Sequence, residues 1–238
     1  MKETTLTNNT KPMYLLADSQ PLFFNQDQTP FLNRVREQFG VGQPLTAAYI
    51  GAANGDVAEF FDIFTLAMEK IGISQCKHIT STLSNSALDF IQSADIILLS
   101  GGDVWQGWQT LQKLDAILSH ARTRGAVLIG ISAGAIHLGK LGGFDKDRLL
   151  NNDLFATLGF VDAIFGAHDE KGNWNSLRQM VALTGGCLPG IGIASGGALI
   201  VQPDQFIEAL YQPLTHITVV GERQMQLRSL WRLDLGGR

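Results

Sequence analysis

Two apolar runs stand out in this chain, Ile96–Leu99 (IILL) and Ala126–Ile131 (AVLIGI). Continuous apolar runs of this length read as strands buried on both faces. Met13–Ala17 and Thr46–Gly51 have the same character, and Gln75–Ile79 is read as a further strand. Between them the period lengthens to that of a helix. Asp56–Ile71 sets Phe60, Phe64, Ala67 and Ile71 on one face, and Gly72 follows where a helix-ending glycine belongs. Thr29-Pro30 is a helix start, with the threonine as cap and the proline in the first turn, opening a helix to about Phe39. Ser86–Gln92 and Trp108–Arg124 are also read as helices. Apolar strands alternating with helices predict an α/β protein, a doubly wound, mostly parallel sheet with helices on both faces.

From Phe160 onward the pattern is looser. Val161–Gly166 and Ile191–Ile193 are read as strands and Asn175–Leu183 as a helix. Ala198–Val201, Phe206–Leu210 and Thr215–Val220 read as late, partly antiparallel strands. Residues 1–12 are polar and Thr/Asn-rich, so they are expected as a frayed tail, with residues 13–238 as a single domain. No repeat, low-complexity stretch or linker divides the chain.

Composition removes several classes of function. Hydrophobic residues at 45% and charged residues at 17% exclude a disordered binding tail. The net charge is −4 and the 18 Lys and Arg are scattered, so no basic face for a nucleic-acid partner is expected. Two cysteines are too few for a disulfide framework or a cysteine-based zinc site, and no metal or other cofactor is expected. No apolar run approaches the roughly 20 residues of a membrane span, and the N-terminus has no apolar signal core. The expectation is a cytoplasmic protein with no membrane partner; the sequence is also compatible with a homodimer.

Chemistry gathers at the ends of the apolar runs. Gly130, Ser132 and Gly134 form G-x-S-x-G between an apolar strand and a short helix. A serine on such a tight turn has its hydroxyl lifted clear of the sheet, and the glycines let the backbone pass without Cβ clashes. The backbone N–H of Ala133 is then the natural first donor of an oxyanion hole. The alternative is that Ser132 merely caps the helix that follows. Ser100-Gly101-Gly102-Asp103 ends the neighbouring strand Ile96–Leu99. Loops at the carboxyl ends of adjacent parallel strands share one crevice, so this Gly-Gly turn can aim a second N–H at the same point. Asp103 is counted among the substrate-binding candidates, its alternative role being a helix cap.

A serine nucleophile needs a base. Of the five histidines, His120 falls late in an amphipathic helix, and His78 and His216 lie in or beside strands without a glycine-rich crevice. His137 is five residues past Ser132 on the same helix, where packing is the better reading. His168 closes the apolar run Phe165-Gly166-Ala167 at a strand end facing the crevice, and is the candidate base.

These stretches carry a resemblance. Leu15–Ser19, Leu99–Asp103, Gly130–Ala135 and the segment from Phe155 to His168 are similar to the serine peptidases that include aspartyl dipeptidase (dipeptidase E) and cyanophycinase. The likeness runs over residues 13–201. It implies a flavodoxin-like, class I glutamine-amidotransferase-like fold and a serine hydrolase acting on a small peptide substrate. It further implies Ser132 as nucleophile, His168 as base, and the N–H groups of Gly102 and Ala133 as the oxyanion hole. An acidic, aspartyl residue before the scissile bond is implied too. Arg178, in a helix rooted near the crevice, offers a guanidinium for that carboxylate; alternatively it is a solvated helix arginine.

One departure concerns the acid that supports the histidine. Cyanophycinase-like members carry acids in a late G-I-D-E turn, whereas this chain reads Gly192-Ile-Ala-Ser195. Dipeptidase E takes its acid from the segment after the nucleophile helix, which makes Asp147 the expected third member and Asp145 its rival. Asp169 and Glu170 directly follow His168, and such chain neighbours are read as a solvated loop.

Other functions fit less well. A glutaminase on this fold needs a thiol at the elbow, where this chain has serine. An α/β-hydrolase esterase needs a late histidine and an HGGG-type loop. No P-loop or strand-following G-x-G-x-x-G supports nucleotide binding. The remaining alternative is a non-catalytic relative that keeps the pocket as a binding or sensor module.

Overall fold

The computed structural model describes residues 9–24, 30–143, 154–221 and 224–236. Its centre is an eight-stranded sheet. Strands β1 (Met13–Leu16), β2 (Thr46–Ile50), β3 (Gln75–Ile79), β4 (Ile96–Leu99) and β5 (Val127–Ile131) are joined by parallel pairings in the order β1-β5-β4-β2-β3. All four residues of β1 and of β4 are buried, as continuous apolar runs covered on both faces should be. The helices between them are α1 (Phe31–Arg36), α2 (Ala58–Glu69), α3 (Asn85–Ser93), α4 (Val104–Leu111) and α5 (Asp115–Arg124). Two apolar layers result, one on each face of the sheet: Leu15, Ile97, Leu99 and Leu128 belong to one, and Tyr14, Leu98, Val127 and Ile129 to the other. The alternation follows from the period-2 geometry of a strand.

Several expectations change. The helix read over Trp108–Arg124 is two helices, α4 and α5, separated at Gln112–Leu114. Leu111, Leu114, Leu118 and Ala121 are all buried, a spacing that one helix or two can satisfy, and neither glycine nor proline marks the break. The start of α1 has Pro30 at the cap position; Thr29, the expected cap, lies outside the described residues. Of the expected tail, residues 1–8 lie outside the described residues, while Asn9 Nδ2 donates to Arg124 O at 3.4 Å and the Lys11 ammonium lies 3.4 Å from the Phe39 ring centre.

The late strands are antiparallel, as expected, and extend the main sheet beyond β1: β10 (Ala198–Val201), β11 (Phe206–Leu210) and β14 (Arg232–Asp234). A second, four-stranded sheet was not anticipated. In it β8 (Ile164–Ala167) runs parallel to β9 (Gly190–Ile193), which pairs with β12 (Leu214–Val220), and β12 with β13 (Gln224–Leu230). Helix α7 (Asn175–Leu183) packs on this sheet through Leu177, Met180 and Val181. A short β6 (Leu141–Gly143) and β7 (Leu154–Ala156) pair with each other. The consequence for function is that the carboxyl end of β5, in the large sheet, meets the carboxyl end of β8, in the small one.

Candidate active site

Ser132 follows β5 and precedes α6 (Ala133–Leu138) with φ 49° and ψ −108°. Positive φ is costly for a residue with a side chain, and such strain concentrates at functional sites. The turn is held by neighbours. The Ser132 N–H donates to Leu16 O at 2.9 Å, and a Cβ at Gly134 would stand 2.2 Å from Leu99 O, so only glycine lets the helix start this close to β4. The Ser132 hydroxyl does not cap the helix. It lies 2.8 Å from His168 Nε2 instead, which removes the capping alternative.

His168 stands one residue past β8, at φ 44°, and its N–H donates to Ile193 O at 2.9 Å, continuing the β8–β9 ladder. The chain bends there, turning the ring toward Ser132. The other histidines are elsewhere. His137 is fully buried, with Nε2 2.7 Å from Val104 O, and burial pushes its imidazole down to about 4 against the weaker pull of that carbonyl and of Asp103. His78 stacks on Phe61, with ring centres 5.0 Å apart. His120 is exposed on α5, and His216 lies on β12.

The loop after β4 completes the site. Gly102 has φ 135°, and a Cβ there would lie 2.1 Å from Ala53 O. The amides around it are committed: Ser100 N–H donates to Ile50 O at 3.0 Å and Asp103 N–H to Ala53 O at 2.8 Å. Among the described residues nothing accepts the N–H of Gly102 or of Ala133. Two uncommitted donors on the loops flanking Ser132 are what a developing oxyanion requires.

Asp103 and Arg178 are not among the residues lining the cleft. Asp103 caps α4, its Oδ1 accepting the Gln106 N–H at 2.6 Å, and it does not line the cleft. Arg178 sits half-buried on α7 against the second sheet, also away from the cleft lining. Asp147 and Asp145 lie outside the described residues.

Glu170, read from sequence as part of a solvated loop, is held. It opens the 3-10 turn Glu170–Gly172, and its Oε1 accepts a hydrogen bond of 2.7 Å from Ser195 Oγ. Its Oε2 is shielded from solvent without a partner. Burial works to raise this carboxyl. The Ser195 hydroxyl, the backbone N–H groups of Glu170 and Ser195 and the charge of His168 outweigh it, and the group ends below the usual carboxylate range. Glu170 therefore reaches the imidazole through its charge rather than by direct contact. No sequence signal marks this, because the pairing joins two turns 25 residues apart.

A cavity of about 350 Å³ opens beside Ser132 and His168, between the loops after β1, β2 and β4 and the first turns of α2. Among the described residues no group of three potential metal ligands is present, and no helix is long and apolar enough to cross a membrane.

The model of peptidase family S51 matches residues 15–209. Among solved structures, a peptidase from an acI-B1 Actinobacterium superposes with a TM-score of 0.69 at 16% identity, over 96% of this chain and 98% of the other. A candidate peptidase E protein from Listeria monocytogenes EGD-e gives 0.59 at 14% identity, over 93% and 99%. At these identities the likeness is one of fold. Among curated proteins none matches.

Proposed function

From the premise that this chain belongs to peptidase family S51, and is by that membership a serine peptidase, we propose that it hydrolyses short peptides with Ser132 as nucleophile and His168 as base. The observation that carries this is the 2.8 Å contact between Ser132 Oγ and His168 Nε2, made by a serine on a strained turn whose hydroxyl has no capping duty. In the reaction Ser132 Oγ attacks the scissile carbonyl while His168 Nε2 takes its proton. The oxyanion of the tetrahedral intermediate is received by the N–H groups of Gly102 and Ala133. The imidazolium then protonates the leaving amine. Water, deprotonated by the same ring, then attacks the acyl carbon, and the imidazolium returns the proton to Ser132 Oγ as the Oγ–acyl bond breaks.

The positive charge formed on His168 needs an anion nearby. The resemblance points to Asp147. The geometry of the described residues supports Glu170, whose Oε1 accepts the hydrogen bond of Ser195 Oγ. The aspartyl preference is what the resemblance implies; Arg178, offered as its means, lies on α7 and is not among the residues lining the cavity beside Ser132.

Labelling with a small fluorophosphonate tests the reading. Stoichiometric modification of Ser132, abolished in Ser132→Ala and by prior denaturation, is expected. A folded protein that neither labels nor cleaves any dipeptide would overturn it in favour of a binding or sensor module.

A further inference from the structure

We infer that the cleft beside Ser132 selects an apolar side chain of the substrate and rejects an acidic one. The inference deepens the peptidase reading above and rests on it. The cavity of about 350 Å³ lies at the lower end of the roughly 300–1,000 Å³ typical of small-molecule sites, a size for one or two residues rather than a folded chain. Its apolar wall is Leu22, Tyr49, Phe60, Ile63, Phe64 and Leu98, the neutral polar groups of Ser19, Asn54 and Ser100 also line it, and it is continuous with Ser132 and His168.

Two of those side chains are unusual. Phe60 and Ile63 are 49% and 40% exposed, large apolar groups left in water one turn apart on α2 at the wall of a catalytic cleft. A ligand side chain of the same character would remove that surface from water, which favours its binding.

The charges in the cleft argue the same way. Among the described lining residues there is no lysine or arginine. The one carboxylate is Asp18, placed by the fold itself: its Oδ1 accepts the Gln20 N–H at 2.9 Å, and its Oδ2 accepts the Gly196 N–H at 2.7 Å and Gln20 Nε2 at 3.3 Å. An acidic substrate side chain entering here would lose its hydration, find no lysine or arginine among the described lining residues and meet the like charge of Asp18.

The experiment compares kcat/KM on Phe-Leu, Leu-Leu and Asp-Leu, alongside fluorophosphonate labelling of Ser132. Phe-Leu or Leu-Leu is expected to exceed Asp-Leu by about 100-fold, the order that one well-fitted side chain can supply. Phe60→Ala should lower the rate on Phe-Leu about tenfold while labelling of Ser132 persists. Ile63→Lys, at an exposed position that tolerates a long polar chain, should narrow the gap by raising Asp-Leu and lowering Phe-Leu. Labelled enzyme that cleaves Asp-Leu as fast as Phe-Leu, or faster, overturns the apolar cleft and leaves the peptidase reading standing. Absence of both labelling and cleavage overturns the two together.

Discussion

Ser195 donates its hydroxyl hydrogen bond to Glu170 Oε1 at 2.7 Å, and the two residues sit on the turns that follow the parallel neighbours β9 and β8. Ser195 thus occupies the late turn where the resemblance places the acids of cyanophycinase-like members, but it serves to hold an acid supplied by the adjoining strand end. The Glu170 carboxylate and the charge of His168 attract each other. Glu170→Gln should lower kcat/KM roughly tenfold, about 1.4 kcal/mol of transition-state stabilisation. Steady-state kinetics beside thermal unfolding read the effect: a loss of kcat/KM with an unchanged melting temperature is expected, and a parallel loss of stability would mark a merely structural role.

Asp147 is the competing acid. If it is the partner of His168, Asp147→Asn should lower kcat by up to about 10⁴ with the fold intact, as loss of a triad acid does elsewhere, while Glu170→Gln stays near wild type. Measured kcat for the two variants and for Ser195→Ala separates the possibilities. If Glu170 is the partner, Ser195→Ala should fall between wild type and Glu170→Gln.

Ser132→Ala should reduce kcat on the order of 10⁶-fold, because the hydroxyl is the covalent partner on which the histidine also acts. The melting temperature should not fall, since the alanine loses no capping bond and buries no new polar group.

Gly102→Ala should lower activity by a route that leaves Ser132 and His168 in place. The new Cβ would lie 2.1 Å from Ala53 O at a φ of 135°, so the loop after β4 must move and its N–H with it. Turnover should fall about 10²–10³-fold, the usual cost of one oxyanion donor. Turnover measured beside thermal unfolding would show a loss of activity out of proportion to any loss of stability.

His137 makes stability depend on pH. Its folded imidazole is pushed down to about 4 from an ordinary value of 6.5. Above 6.5 neither state carries the proton. As pH falls below 6.5 the unfolded chain takes it up and the folded one does not, so stability is lost down to about 4. Two and a half pH units at about 1.4 kcal/mol each make this roughly 3 kcal/mol. Chemical denaturation at several pH values should show that His137→Gln flattens this dependence; an unchanged slope would exclude His137 as its source.

What could be read from the chain alone was local. The buried strands were legible because IILL and AVLIGI exceed what one face can hide, and the nucleophile because G-x-S-x-G follows such a strand directly. His168 was legible as a histidine at an apolar run's end. The break between α4 and α5 was not, since apolar spacing across Leu111 and Leu118 suits one helix as well as two. The second sheet escaped because β13 is nearly all exposed or half-exposed and carries little apolar pattern. Which residues share the site was decided by strand pairing. That pairing brought Glu170 to Ser195 and His168 to Ser132, because hydrogen-bond registers between distant segments leave no trace in the spacing of residues along one of them.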